Sequence, residues 1–282
     1  MNLERLIDID DSLASLPDIF YRLKEAVEDE DSTFEEISEI VTFDPSLSAR
    51  ILRIVNSAFY CFDSKVETIP HALGIIGTED LNQLVLATSV LNQFKGIPGD
   101  LFDVESHWKH SVACGLAARS IASLMEHPHA ERFFVAGLLH DVGRLVMCIK
   151  APDLFSKAMA YSEKSGDRIH RAEAKVFGFD HGEVGGKLLE SWNLPASLQE
   201  SVAYHHRPAQ APNHALEASV VNLANGMVHS MKLAGYIDTL GSPSHRKSWE
   251  RIGLSEDTCS DEIKNRAKME FEEVMDIFLQ AA

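Results

Sequence analysis

Apolar residues in this 282-residue chain recur at helical spacing over most of its length and nowhere alternate with polar ones for long enough to make a strand. That period leaves few folds open, and it predicts an all-α protein. Thr33 and Glu36 have the spacing of a capping box and lead into Ile37, Ile40 and Val41. Asp44-Pro45 reads as an N-cap with proline in the first turn, ahead of a face of Leu47, Ile51, Ile54, Val55 and Ala58. Gly77 is placed to end one helix and Thr78 to start the next, which presents Leu81, Leu84, Val85, Thr88 and Leu91 inward.

The stretch KGIPGD (95–100) carries two glycines and a proline and predicts a boundary between two lobes. Helical patterns follow over 103–125, 131–149, 152–165, 170–177, 181–191, 195–206 and 214–233. The region GYIDTLGSPSHRKSWERIG reads as a loop with short helical pieces. From Ser260 one amphipathic helix is predicted, with Ile263, Ala267, Phe271, Val274 and Phe278 as the face to bury. The expected architecture is a two-lobed multi-helix bundle.

Within AGLLHDVGRLV (136–146) His140 and Asp141 stand side by side in an apolar segment. Burying a polar group costs a few kcal/mol unless it is paired, so a hydrogen-bond partner, an ion pair or a metal must satisfy them. Thirteen histidines divide into two sets. His71, His127, His129, His170, His214, His229 and His245 lie among polar or turn-forming residues and are expected to be exposed. His107 stands one turn before His110, as a support and not a ligand. His110, His140, His181, His205 and His206 fall on apolar or helix-terminal positions. His110 shares a face with Ala113, Ala117 and Ile121. Imidazoles converging from several helices suit a borderline metal, although each alone is also compatible with a hydrogen-bonded core histidine.

A net charge of −17 argues against binding through a phosphate backbone, which needs concentrated Lys and Arg. The closest approach to a basic cluster, HRKSWER at 245–251, is flanked by acidic segments. The N-terminus lacks the basic start and apolar run of a signal peptide, and no run approaches the roughly 20 apolar residues of a spanning helix. Neither nucleic acid nor membrane is expected as a partner. Cys61, Cys114, Cys148 and Cys259 form no CxxC pair, which suggests reduced thiols and a cytoplasmic location.

The order His110, His140-Asp141 and a later acidic residue in a helix resembles the HD superfamily of metal-dependent phosphohydrolases. The extra histidines of its binuclear members, such as the HD-GYP phosphodiesterases, are matched by His181 and His205-His206. DPSLSARILRIVNSAFY (44–60), ETIPHALGIIGTEDLNQLVLA (67–87), EAKVFGFDHGEVGGKLLESWNLP (173–195) and AYHHRP (203–208) narrow the resemblance to the HDOD family. The resemblance implies a bacterial, all-helical protein linked to signalling, from a family generally regarded as having lost catalysis. It assigns 13–210 to an HDOD domain, with an N-terminal helical lobe at 13–95 and an HD-like core at 101–210. Residues 211–282 form an extension that completes or caps the HD-like lobe. The metal ligands it implies are His110, His140, Asp141, His181, His205 and His206, with Asn225 where the pattern has its final Asp. Arg144 stands where HD-GYP enzymes carry lysine, and no GYP signature follows His205-His206, so a cyclic-dinucleotide phosphodiesterase is unsupported.

An imidazole-rich set with one carboxylate and one amide favours iron, zinc, nickel or manganese over magnesium. The favoured reading is a signalling module that binds divalent metal in a degenerate HD site and acts on an unidentified signalling protein or small phosphorylated ligand. The alternative is an active metal-dependent phosphohydrolase on a nucleotide or other phosphate ester, with Asp141 at the metal and Arg144 on the phosphate.

Overall fold

The computed structural model describes residues 2–7, 15–91, 93–94, 97, 99, 101–231 and 246–279. In chain order its helices are α1 (Leu3–Leu6), α2 (Asp18–Glu28), α3 (Phe34–Thr42), α4 (Pro45–Val55) and α5 (Ile69–Leu91). There follow α6 (Val104–Leu124), α7 (Glu131–Leu139), α8 (Val142–Lys150), α9 (Pro152–Ser165) and α10 (Ile169–Phe177). The last are α11 (His181–Ser191), α12 (Ala196–Ala203), α13 (Ala215–Met231), α14 (Arg246–Ile252) and α15 (Glu256–Leu279). Among the described residues there is no strand, and the fold is all-α.

The chain divides into two compact units, one of Met1–Ser15 with Gly96–Ala267 and one of Leu16–Lys95 with Lys268–Ala282. The division at Lys95 and Gly96 falls inside KGIPGD, where several residues lie outside the described set. In the second unit α2, α3 and α4 pack on α5 around Phe20, Leu23, Val41, Ile51, Ile54 and Leu81. The Thr33–Glu36 capping box forms as expected, and the Asp44 carboxylate accepts from the Ser46 and Leu47 amides. Gly77 breaks α5 at a positive φ of 82°, a conformation that glycine adopts without a Cβ clash.

Three expectations change. The extension after residue 211 does not belong wholly to the HD-like lobe: from Lys268 onward it groups with Leu16–Lys95, and the Glu273 carboxylate accepts the Ala58 amide at 2.9 Å. Its amphipathic helix starts at Glu256, ahead of Ser260, with Ile263 and Ala267 in the first unit and Phe271, Val274 and Phe278 in the second. The predicted helix over 131–149 is two helices, α7 and α8, broken at His140 and Asp141, where Asp141 leaves helical geometry at φ −102°, ψ 7°. Period alone cannot reveal that break, because both halves bury apolar residues.

The first unit is built around α6, which the Asp103 side chain caps through the Ser106 amide and which is buried on nearly every side. Its helices approach closely where glycine removes a side chain. A Cβ on Gly137 of α7 would stand 2.6 Å from the Cys114 carbonyl of α6, and one on Gly143 of α8 would stand 2.0 Å from the His181 carbonyl of α11. A Cβ on Gly186 of α11 would meet the Ala203 side chain of α12 at 2.6 Å. These contacts hold α6 to α7, α8 to α11 and α11 to α12, and every one of those helices carries or adjoins a histidine of the candidate set.

Candidate metal centre

The break between α7 and α8 presents His140 and Asp141 to α6, α11 and the end of α12. His140 Nε2, His181 Nε2 and His205 Nε2 lie 3.3, 2.9 and 3.7 Å from Asp141 Oδ1, and all four side chains are buried. The opposite nitrogen of each ring is occupied. His140 Nδ1 donates to the Gly137 carbonyl and His205 Nδ1 to the Val202 carbonyl, both at 2.7 Å. His181 Nδ1 donates to Glu173 Oε2 at 2.5 Å. A ring whose Nδ1–H is tied to a carbonyl or carboxylate directs its Nε2 lone pair elsewhere, which is the arrangement metal-ligating histidines use. His140 Nε2 and His205 Nε2 are buried without a hydrogen-bond partner among the described residues.

Three overlapping donor groups follow: His140, Asp141 and His205; His181, His205 and His206; and His110, Cys114 and His140. His206 Nε2 stands 2.9 Å from His181 Nε2, and the His110 and His140 ring centroids are 5.2 Å apart. Donors held about 2.1 Å from one ion lie roughly 3.0–3.4 Å apart. Of the three imidazoles, His140 at 3.3 Å from Asp141 Oδ1 lies in that range, His181 at 2.9 Å is 0.1 Å short of it and His205 at 3.7 Å is 0.3 Å beyond it. Shifts of a few tenths of an ångström would close this donor set on a divalent ion. Asn225 lies on α13 with its carbonyl oxygen buried and unbonded among the described residues. It is one turn before His229, whose ring is 5.1 Å from His110, and one turn after Asn222, whose amide donates to the His205 carbonyl at 2.7 Å.

Burial opposes charge on Asp141, but the Arg144 guanidinium and the His140 and His181 imidazoles outweigh it and hold the carboxyl well below its usual range. Burial also presses on His181, and there Glu173 wins and lifts the imidazole to about 9. His140 is lowered, and His110, His205 and His206 fall well below the ordinary imidazole value, mainly through burial. Neutral rings are the ligand form.

Arg144 is buried, with NH1 3.4 Å from Asp141 Oδ2 and Nε 3.7 Å from Glu173 Oε1. Its Nε is also 3.3 Å from His181 Nδ1. Because that nitrogen carries its proton toward Glu173, the contact acts electrostatically. The guanidinium expected to meet a phosphate is thus engaged with internal carboxylates.

Other expectations on the histidines need correction. His170 is half-buried and stacks on His206 with centroids 3.9 Å apart, and His229 is half-buried against His110. His127 and His214 are half-buried too, whereas His71 and His129 are exposed and His245 lies outside the described residues. His107 is fully buried against Phe102 and Trp108, and it belongs to none of the donor groups. Glu173 was missed by sequence reasoning. Its signal was a carboxylate on the inward face of α10, eight residues before His181.

The HDOD domain family matches residues 13–208, and the chain belongs to that family. An uncharacterized protein of Treponema pallidum (strain Nichols) is 22% identical over 72% of this chain, which spans 39% of that relative's length. A crystal structure titled "Putative phosphohydrolase" from Shewanella amazonensis SB2B is 23% identical, covers 99% of this chain and 97% of its own, and superposes with a TM-score of 0.76. One titled "Putative signal transduction protein" from Marinobacter aquaeolei VT8 is 19% identical, covers 100% of this chain and 61% of its own, with a TM-score of 0.74. At these identities the likeness is one of fold. No described helix is long and apolar enough to cross a membrane.

Proposed function

We propose that this chain is a signalling or regulatory HDOD protein that holds divalent metal in its histidine-rich unit and acts by binding a protein partner or a small phosphorylated ligand. The observation that carries the metal is the convergence of three imidazole Nε2 atoms on Asp141 Oδ1, with every opposing Nδ1 tied off. His140, Asp141, His181 and His205 would hold the ion, with His110, His206 and Asn225 around them. The imidazole majority favours iron, zinc, nickel or manganese over magnesium. A bound divalent ion supplies Lewis acidity and a water of lowered pKa.

Two features favour binding over turnover. Asn225 offers an amide where a carboxylate would add charge and orient water, and Arg144 is held by Asp141 and Glu173. The second reading, phosphohydrolysis, is favoured by one observation: the three overlapping donor groups offer seven side chains, more than a single ion takes. Elemental mass spectrometry of untagged protein purified without chelator, beside Asp141→Ala, tests the metal. One or two ions per chain, lost in the variant, support it, and an empty wild-type site overturns it. Release of nitrophenol from a generic phosphodiester by the metal-loaded protein, abolished in Asp141→Ala, would decide for the hydrolase.

A further inference from the structure

The third donor group contains a sulfur. Cys114 lies one turn after His110 on the same face of α6, fully buried, with Sγ 3.4 Å from His110 Nε2. A ligand nitrogen of His110, one of His140 and the Cys114 sulfur fall within 4.8 Å of one another. Gly137 permits this, because α7 rests directly on the Cys114 carbonyl and delivers His140 three residues later. A thiolate about 2.3 Å and an imidazole about 2.1 Å from one ion stand roughly 3.1–3.6 Å apart, and the observed 3.4 Å lies in that range. His140 Nε2, which also stands 3.3 Å from Asp141 Oδ1, is fully buried and without a hydrogen-bond partner among the described residues, a donor atom left for a ligand.

Charge supplies the motive. With Asn225 neutral, Asp141 is the sole anion among the expected ligands, and a buried divalent ion would keep uncompensated positive charge. We propose that Cys114 is a metal ligand of this centre, shared with His110 and His140, and that its thiolate supplies the negative charge Asn225 does not. Coordination breaks the S–H bond, forms a metal–sulfur bond and releases the proton to solvent. No electron is transferred. The ligand class is a thiolate-accepting divalent ion such as zinc, iron(II) or cobalt(II), at the expense of manganese and magnesium. This inference rests on the metal-centre reading.

The test is cobalt reconstitution of the metal-free full chain, followed by absorption spectroscopy. A near-ultraviolet thiolate-to-cobalt charge-transfer band is expected in the wild type and in C61S/C148A/C259S, which retains Cys114 alone. The band should vanish in C114S, and zinc affinity relative to manganese should fall at least about tenfold there. The triple variant keeps the test decisive if C114S does not fold. Cobalt bound through visible d–d bands with no charge-transfer band, and unchanged zinc preference in C114S, would overturn the thiolate ligand and leave the metal centre standing. If the wild type binds neither cobalt nor zinc, the metal centre itself is wrong and this inference falls with it.

Discussion

Replacing Gly143 with alanine tests whether helix packing is what assembles the centre. The new Cβ would stand 2.0 Å from the His181 carbonyl oxygen and 2.7 Å from the Gly185 nitrogen. Real Cβ contacts essentially never fall below 3.0 Å, so α8 and α11 must part by at least about 1.0 Å, and neither atom belongs to a side chain that could rotate away. Alanine gains about 1 kcal/mol of helix propensity over glycine. Overpacking of this kind typically costs about 1–3 kcal/mol, and a clash between backbones belongs at the upper end, leaving a net loss of about 2 kcal/mol. The functional effect is larger than the thermodynamic one. His181 and Asp141, now 2.9 Å apart, would separate by several times the roughly 0.2 Å that metal coordination tolerates. Urea denaturation should show a lower midpoint at unchanged slope, and elemental analysis should show lost metal. Gly74→Ala, on a helix with open space around its Cβ, serves as the control and should stabilise slightly. A Gly143→Ala protein with wild-type midpoint and full metal would refute the close α8–α11 contact and the assembly argument with it.

Asp141→Ala should destabilise even the metal-free protein by about 3 kcal/mol, because it strips Arg144 and three buried imidazoles of their shared anion; urea melts in chelator measure this. In metal-free protein the His181 imidazole is raised from 6.5 to about 9 by Glu173 against the opposing effect of burial, so its contribution is fully present below about pH 6.5 and lost as pH climbs through 9. Glu173→Gln should flatten that slope between pH 6 and 9.5. The same proton competes with the ion, so metal affinity should rise with pH, and two protons, one from His181 and one from the Cys114 thiol, should be released per ion bound at neutral pH, measured by titration calorimetry in buffers of different ionisation enthalpy; Cys114→Ser should release one. Chelation should lower the melting temperature by an amount that depends on free metal concentration, without abolishing the cooperative transition; a chain that unfolds outright in chelator would contradict the charge balance of the metal-free site.

Much of the fold was legible because its signals are local. The Thr33–Glu36 box, Asp44-Pro45 and the start of α11 at His181 each depend on a few neighbouring residues, and each stands where the spacing put it. The break at His140 and Asp141 was not legible, since α7 and α8 are both buried and a continuous apolar pattern is compatible with one helix or two. His170 and His229 read as surface residues from their polar neighbours. What half-buries them is a partner distant in sequence, His206 in one case and His110 in the other. Glu173 was hidden for the same reason. A lone carboxylate in a helix looks solvated until the fold sets His181 against it.

The charges around Asp141 explain how so polar a cluster is tolerated in a core. Asp141 and Glu173 are anions and Arg144 is a cation. With His181 held protonated by Glu173, two negative and two positive charges cancel within a few ångströms. A divalent ion entering at the Nε2 atoms displaces the His181 proton, and the cluster is left with one surplus positive charge. A carboxylate at 225 would remove that surplus, and Asn225 cannot. A thiolate at Cys114 can, from the donor group it forms with His110 and His140. The identity of a single α13 side chain and the chemistry of a single α6 side chain are therefore coupled through the ion they surround. Restoring the carboxylate with Asn225→Asp should relax the dependence of metal binding on Cys114, and a double-mutant cycle on zinc affinity reads that coupling directly. Additive effects of Asn225→Asp and Cys114→Ser would show that the two residues do not answer to the same charge.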